Sequence, residues 1–189
     1  MKYDISKRPT RGAMRTLAAF SQTMFELLAQ KPFEEVTVGE LCSLAQYPRA
    51  TFYNYFDDKY DLLDYCWRTL AELIGLSEYR HAEENEMLYL YFDRIFDFTR
   101  QNSAVIGRVL AHNPEAGYMF SSFRNFLNGL MRGIFKDCPD AAKKDIPNAL
   151  LADHYSSTLF LVWQWAAVKD RTCTKQQAQK YLLELLTIS

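Results

Sequence analysis

Residues 33–63 decide the fold of this chain, and they read FEEVTVGELCSLAQYPRATFYNYFDDKYDLL. Apolar residues at Leu41, Leu44 and Ala45 predict one short helix, and the stretch from Pro48 to about Tyr55 predicts a second. Only a tight linker, residues 45–48, separates the two. Two short helices so closely joined, with a longer helix on each side, have the spacing of a helix-turn-helix motif. In that motif the second helix projects into the major groove of DNA.

Local signals mark where these helices begin. Thr37 and Glu40 stand three positions apart, which predicts a capping box: the hydroxyl accepts from the backbone N–H of residue 40 and the carboxylate accepts from that of residue 37. Asp57 and Asp58 are placed to cap the helix that follows the motif.

The second short helix carries the chemistry of the motif. Phe52 and Phe56 are four residues apart and can both face a core, which turns the polar side chains outward. Arginine pairs with guanine and asparagine with adenine, while threonine and tyrosine hydroxyls suit phosphate oxygens. The candidate contacts on this helix are Arg49, Thr51, Tyr53, Asn54 and Tyr55.

The rest of the chain predicts an all-α protein of about nine helices. Of its 189 residues, 49% are hydrophobic and 24% charged, which is globular composition and excludes a disordered chain. The six prolines lie between periodic segments and never inside one. Apolar residues recur at helical spacing between them, and no segment alternates with the period of a strand.

Bulk charge gives no hint of a nucleic-acid partner, because the formal net charge is −1. Residues 1–15, however, hold five basic residues against Asp4 alone. A basic leader just before a helix-turn-helix suits contact with phosphates or the minor groove. A solvated tail with no DNA role is the alternative.

Residues 10–75 resemble the DNA-binding domain of the tetracycline-repressor (TetR) family. The resemblance rests on Thr37-Val38, on the run Thr51-Phe52-Tyr53-Asn54-Tyr55-Phe56, and on Lys59 followed by Leu62-Leu63. It implies phosphate contacts from Thr37, Tyr53, Tyr55 and Lys59, and base or groove contacts from Arg49, Thr51 and Asn54. The turn departs from the family pattern, because Gln46 stands where glycine is usual. We therefore expect a non-glycine residue with positive φ at this position.

The resemblance also implies a domain division. Residues 1–57 would form the DNA-binding domain with its leader, and residues 58–189 a helical regulatory and dimerisation domain. The second half is similar to regulators of dihydroxyacetone operons in helix count and length. In the family the last two long helices pair across a two-fold axis, so Trp163 and Trp165 are candidate dimer contacts, with packing inside one chain as the alternative.

Aromatic residues are frequent on the helices that would surround a ligand cavity. The candidate ligand contacts are Tyr91, Phe123 and Tyr155, which suit an apolar or aromatic molecule. Ordinary core packing is the competing interpretation of such a set.

Other chemistries find no support in the sequence. The four cysteines and three histidines are scattered without the spacing of a zinc site, and no phosphate-binding glycine loop or catalytic motif is present. We therefore expect no metal, no cofactor and no enzyme activity. Without a signal peptide or an apolar stretch that could span a bilayer, the sequence predicts a cytoplasmic protein with no membrane partner.

Two functional hypotheses follow. The first is a DNA-binding transcriptional regulator, expected to repress, that acts as a homodimer on a palindromic operator and responds to a small apolar or aromatic effector. The second is a DNA-bound structural or protein-recruiting factor of the same fold with no small-molecule ligand.

Overall fold

The computed structural model of the chain describes residues 10–76, 84–135, 146–170 and 172–187. Across these ranges the regular structure is helical and contains no strand, which confirms the predicted all-α class. The elements are α1 (Arg11–Leu28), a 3₁₀ helix (Phe33–Glu35), α2 (Val38–Ala45), α3 (Arg49–Tyr55), α4 (Lys59–Leu73), α5 (Glu84–Gln101), α6 (Ser103–His112), α7 (Tyr118–Phe135), α8 (Asn148–Trp163), a π-helical turn (Gln164–Lys169) and α9 (Lys175–Thr187). Within the described ranges, none of these helices combines the length and apolar character that crossing a bilayer requires.

The chain divides into two compact units. Unit 1 holds Met1–Leu70 and Ala104–Ser122, and unit 2 holds Ala71–Ser103 and Phe123–Ser189. The two short helices α2 and α3 therefore share a unit with nearly all of α6 and with the first turn of α7. The division expected from the sequence, between residues 57 and 58, stays a prediction.

Helix α1 supplies the buried face on which unit 1 is built. It begins at Thr10, whose hydroxyl oxygen accepts from the backbone N–H of Ala13 at 3.2 Å. Its inward residues recur at intervals of three and four, which is the spacing of one helix face. They are Ala13, Thr16, Leu17, Phe20, Ser21, Thr23, Met24, Leu27 and Leu28.

An aromatic cluster fixes α3 against α1. Phe20 of α1 meets the ring of Phe52 edge-on with 5.2 Å between centroids, and it meets Phe56 edge-on at 6.2 Å. All three side chains are fully buried, as predicted for the two α3 phenylalanines. Burying one phenylalanine contributes about 1.5–3 kcal/mol, so this cluster stabilises the position of α3 as well as the fold.

Helix α4 is bounded by the expected acidic cap and by a glycine. A carboxylate oxygen of Asp58 accepts from the backbone N–H groups of Tyr60 and Asp61, both at 2.9 Å. At the other end Gly75 takes a φ of 75°, and the N–H of Leu76 reaches back to the carbonyl of Ala71 at 2.8 Å. This left-handed glycine ends the helix in the usual way.

Unit 2 is held together around α8 and its π-helical turn. The indole N–H of Trp163 donates to the hydroxyl of Thr99 on α5 at 2.9 Å. The Arg100 guanidinium donates to the carbonyls of Ala166, Asp170 and Cys173 at 2.8, 3.2 and 2.6 Å. It thereby satisfies carbonyls that the end of the helix leaves without partners.

Helix α9 also joins unit 2 through polar contacts. It is capped by Thr174, which exchanges hydrogen bonds with Gln177 as a capping box does. Lys175 then forms an ion pair with Asp97 of α5 at 2.7 Å, and the Gln179 amide donates to Asp93 of α5.

Candidate nucleic-acid interface

The start of α2 is built by the predicted capping box. The Thr37 hydroxyl accepts from the N–H of Glu40 at 3.3 Å, and the Glu40 carboxylate accepts from the N–H of Thr37 at 3.0 Å. The ammonium of Lys31 also donates to Glu40. These donors, Lys31 first and Thr37 second, lower the pKa of the Glu40 carboxyl to about 2. Thr37 itself remains exposed at the N-terminus of the helix.

The turn between α2 and α3 contains the strained residue that the sequence predicted. Gln46 has φ 59° and ψ 38°, in the left-handed region, and no other described non-glycine residue has positive φ. The N–H of Tyr47 donates to the carbonyl of Cys42 at 3.0 Å, which closes the end of α2. The ring of Tyr47 lies 5.6 Å from that of Phe20, so the turn is tied to the core of unit 1.

Helix α3 presents its polar side chains outward. Arg49, Tyr53 and Asn54 are exposed, whereas Thr51 and Tyr55 are half-buried. Between them the fully buried Phe52 holds the opposite face of the helix on α1. The five candidate residues of α3 therefore occupy a helix whose inner face is fixed and whose outer face is open to a ligand.

Arg49 and Thr37 come together although twelve residues separate them. The guanidinium of Arg49 extends from the first turn of α3 over Gly39 in the first turn of α2. The hydroxyl of Thr37 borders the same space, 3.8 Å from where a Cβ of residue 39 would stand. A guanidinium, a hydroxyl and the N-terminus of a helix in one place form a surface suited to phosphate.

The structure gives Lys59 partners within its own chain, and its expected contact with phosphate stays a prediction. Its ammonium donates to three backbone carbonyls, those of Phe33, Glu34 and Val36, at 3.0, 2.8 and 2.9 Å. It also lies 4.8 Å from the centre of the Phe33 ring. An ammonium has three N–H groups, so none is left over for a phosphate in this arrangement. Burial lowers the pKa of this lysine, and the residue clamps the 3₁₀ helix that leads into Thr37.

The sequence did not point to Glu34, Gly39 or Asn113, which the structure brings to the same unit. Glu34 accepts from the N–H of Tyr118 at 2.9 Å, and the buried Asn113 amide bonds to the backbone at both ends of the α1–3₁₀ connection. Of these three residues, only Gly39 could have been noticed in the sequence, because a glycine in the first turn of a predicted helix leaves space that a neighbouring side chain can fill.

The candidate ligand residues are all in unit 2. Tyr91 is buried on α5, and Phe123 on α7 lies 5.5 Å from the ring of Trp163. Tyr155 on α8 contacts the ring of Phe135 at 4.8 Å. Each residue contributes to the packing of unit 2, and their role as ligand contacts stays a prediction.

The two candidate dimer contacts differ in position. Trp163 is 6% exposed and donates to Thr99, so its indole belongs to the interior of one chain and has little surface for a second subunit. Trp165 is 56% exposed. Trp165 thus has more surface to offer a second subunit than Trp163, and the role of both in a dimer stays a prediction.

Two further expectations concern the leader and metals. Residues 1–9 lie outside the described residues, whereas Arg11 and Arg15 of the leader are exposed on α1.

Among the residues that the structure describes, no group of three or more histidine, cysteine or acidic side chains could hold a metal ion.

Comparison with known proteins agrees with this geometry. Residues 23–66 match the family described as bacterial regulatory proteins, tetR family. A search of curated proteins gives no match.

Three solved structures illustrate the fold. The transcriptional regulator FadR from Bacillus subtilis, in complex with stearoyl-CoA, is 15% identical with a TM-score of 0.55, over 92% of this chain and 97% of that one. The fatty acid degradation regulator FadR from Bacillus halodurans is 15% identical with a TM-score of 0.57, over the same shares. The dihydroxyacetone kinase operon activator DhaS is 14% identical with a TM-score of 0.51, over 92% of this chain and 95% of that one.

Helices α2 and α3 and the capping box of α2 all lie within the segment that matches the family model. Residues 23–66 match the TetR family of bacterial regulatory proteins, and the chain has the fold of the solved regulators to which it is similar.

Proposed function

We propose that this protein is a sequence-specific DNA-binding transcriptional regulator that acts as a homodimer on a palindromic operator. The observation that carries the proposal is the outer face of α3, where Arg49, Tyr53 and Asn54 are exposed above the buried Phe52. Arginine and asparagine are the side chains that best distinguish guanine and adenine in the major groove.

Phosphate contacts would fix the register of α3 on the duplex. Thr37 stands exposed at the N-terminus of α2, and Tyr53 and Tyr55 offer hydroxyl groups from α3. Lys59 would serve the same contact indirectly, because it holds the carbonyls just before Thr37. Its positive charge would still contribute to attraction of the DNA at longer range.

An exposed apolar stripe on α8 supports the homodimer. Leu150, Leu161 and Trp165 are 59%, 55% and 56% exposed. Together with His154 and Ser157 they follow spacings of three and four, so they share one face of the helix. A second copy of the chain would remove this face from water. A two-fold dimer would present two α3 helices to half-sites about one DNA turn apart.

The effector we propose is a molecule with a long apolar part. Aromatic residues of α5, α7 and α8 make up much of the buried interior of unit 2, among them Tyr91, Phe135 and Phe160. One protein of the same fold was solved with stearoyl-CoA, so acyl-CoA thioesters are the first class to test. Such a ligand changes DNA affinity only if it prefers one of two conformations of the protein.

The test is selection from a random duplex library by the purified full chain at about 0.15 M salt, where weak phosphate contacts are screened. We expect enrichment of a palindrome with two half-sites. Stearoyl-CoA and shorter acyl-CoA thioesters are then titrated into the complex, and release of the DNA by one of them identifies the effector class. Salt-sensitive binding without any enriched sequence would contradict the proposal.

A further inference from the structure

The DNA-reading helices are not held by the helix-turn-helix segment alone. Unit 1 also contains Ala104–Ser122, which comprises most of α6, the turn after it and the start of α7. This segment lies far outside residues 23–66, the part of the chain that matches the family. Three separate sets of hydrogen bonds join it to α1, to the 3₁₀ helix and to α4.

Asn113 makes the first and most buried of these connections. Its side chain is 2% exposed. The amide nitrogen donates to the carbonyls of Leu28 and Val109 at 2.9 and 2.8 Å, and the amide oxygen accepts from the N–H of Phe33 at 2.9 Å. One side chain thus joins the end of α6 to the end of α1 and to the first residue of the 3₁₀ helix.

Glu34 makes the second connection, one residue further along. Its carboxylate accepts from the N–H of Tyr118 at 2.9 Å, and the ring of Tyr118 stacks on that of Phe33 at 5.2 Å. The turn fits closely here, because a Cβ at Gly117 would stand 3.1 Å from the carbonyl oxygen of Pro114 and 3.3 Å from Glu34. The N–H of Tyr118 also lowers the pKa of the Glu34 carboxyl, so this acceptor stays charged.

Ser122 makes the third connection, to α4. The indole N–H of Trp67 donates to the Ser122 hydroxyl at 2.9 Å, and that hydroxyl lies 3.2 Å from a carboxylate oxygen of Asp64. The segment is therefore attached just after α6, at the start of α7 and at its last residue.

The hydrogen bonds of Asn113 and Tyr118 meet those of Lys59 at the 3₁₀ helix, which leads directly into α2. The N–H of Phe33 is held by Asn113, and the carbonyls of Phe33, Glu34 and Val36 are held by Lys59. The next residue is Thr37, the cap of α2 and a member of the proposed DNA interface. Because these backbone groups are bonded to Asn113 and Lys59, the start of α2 is held relative to the end of α1.

We propose that Asn113 and Glu34 are positioning residues for DNA recognition, which set the place of α2 and α3 through the 3₁₀ helix without touching DNA. This inference rests on the proposed function. Loss of either side chain would leave α3 packed on α1 through Phe20 and Phe52 but would loosen the start of α2, so specific binding, which needs exact placement of base contacts, would suffer most. Non-specific binding depends on charge and would change little.

The test compares two variants with matched controls. Asn113→Ala is paired with Asn102→Ala, since the Asn102 amide also donates to a carbonyl four residues earlier but belongs to unit 2. Glu34→Ala is paired with Glu35→Ala, which removes the same charge from the same 3₁₀ helix. Affinity is measured for the selected operator and for a scrambled duplex, at a temperature where each variant has the circular dichroism spectrum of the wild type.

We expect Asn113→Ala and Glu34→Ala to weaken operator binding about tenfold, the size of effect that loss of one buried or charge-assisted hydrogen bond produces. Binding to the scrambled duplex and binding by both control variants should stay within about twofold of wild type. Operator affinity unchanged in Glu34→Ala and in a folded Asn113→Ala would overturn the inference.

Amide hydrogen exchange provides a second readout that needs no DNA. Exchange across residues 37–41 should accelerate in Glu34→Ala and not in Glu35→Ala, even if Asn113→Ala fails to fold. Equal exchange in the two variants would also overturn the inference. A wild-type protein without any sequence preference would instead contradict the proposed function, and the exchange comparison would still decide the positioning role.

Discussion

The Arg49 guanidinium lies so close over Gly39 that a Cβ at residue 39 would stand 2.7 Å from its Nη2 atom. The backbone of α2 is thus open at the one place where the long side chain from α3 crosses it. Arginine therefore has a defined direction in the free protein, toward the exposed Thr37 and the N-terminus of α2. A ligand that meets this arrangement finds the cation already in place, which reduces the entropy lost on binding.

Gly39→Ala should displace Arg49 while leaving the fold intact. The close atom is the end of a flexible side chain, which can swing away, and alanine is a better helix residue than glycine by about 0.5–1 kcal/mol. We therefore expect an unfolding free energy equal to or above that of wild type, together with weaker operator binding. Urea unfolding and fluorescence anisotropy measure the two quantities.

A double-mutant cycle shows whether the effect passes through the arginine. In an Arg49→Ala background, Gly39→Ala should leave operator affinity unchanged, because the displaced side chain is already absent. Equal weakening by Gly39→Ala in both backgrounds would mean that the methyl group itself meets the DNA.

Gln46→Gly should stabilise the protein by about 1 kcal/mol. A residue with a Cβ in the left-handed region costs about 1–2 kcal/mol, and the greater freedom of glycine in the unfolded chain offsets part of the gain. Urea unfolding should show a higher midpoint with an unchanged slope. Gln46→Ala is the control, because it removes the side chain without relieving the backbone. A gain of the same size in the alanine variant would assign the effect to the glutamine side chain.

The capping box should contribute a pH-dependent part of the stability. The Glu40 pKa is about 2 in the folded protein against an ordinary value of 4.5, so the unfolded chain takes up the proton first. The contribution is present above about pH 4.5 and is lost as the pH falls toward 2. Between pH 4.5 and 2, the unfolding free energy should decline less in Glu40→Gln than in wild type. Lys31→Met should also decline less than wild type, because Lys31 is the main cause of the lowered Glu40 pKa. Parallel curves for all three proteins would refute the assignment.

The fold could be predicted from the sequence where its causes are local. The capping box of Thr37 and the inward Phe52 were predicted from residues within four positions of one another, whereas the left-handed Gln46 was predicted from the resemblance to a family with glycine at that position. Helical spacing and the position of the prolines likewise predicted an all-α protein, as the described residues confirm. Such patterns are visible in a single sequence because the partner residues lie beside each other in the chain.

The rest depends on partners distant in the chain. Lys59 looked like a surface cation, but its acceptors are carbonyls 23–26 residues earlier. Trp163 looked available to a second subunit until its bond to Thr99, 64 residues away, placed it inside. Asn113 carried no signal, since its partners are 80 and 85 residues distant. Only the tertiary structure brings these groups together.

Trp165→Glu should dissociate the proposed dimer, because it puts a charge at the end of the exposed stripe that runs from α8 into the π-helical turn. Desolvating an unpaired carboxylate at an interface is costly, so the variant should be monomeric by light scattering and should bind the operator poorly. Leu73→Glu is the matched control, since Leu73 is 75% exposed on α4 and lies outside the stripe. A dimeric Trp165→Glu protein would place the interface elsewhere.

The most direct test of sequence reading by α3 is to repeat the random-duplex selection with Asn54→Ala. If α3 lies in the major groove, the variant should still enrich a palindrome, with the preference relaxed at one or two base positions that are symmetric in the two half-sites. The affinity for mismatched duplexes and the dependence on salt should stay those of wild type. An enriched sequence identical to that of the wild type at every position would contradict the assignment of α3 as the recognition helix.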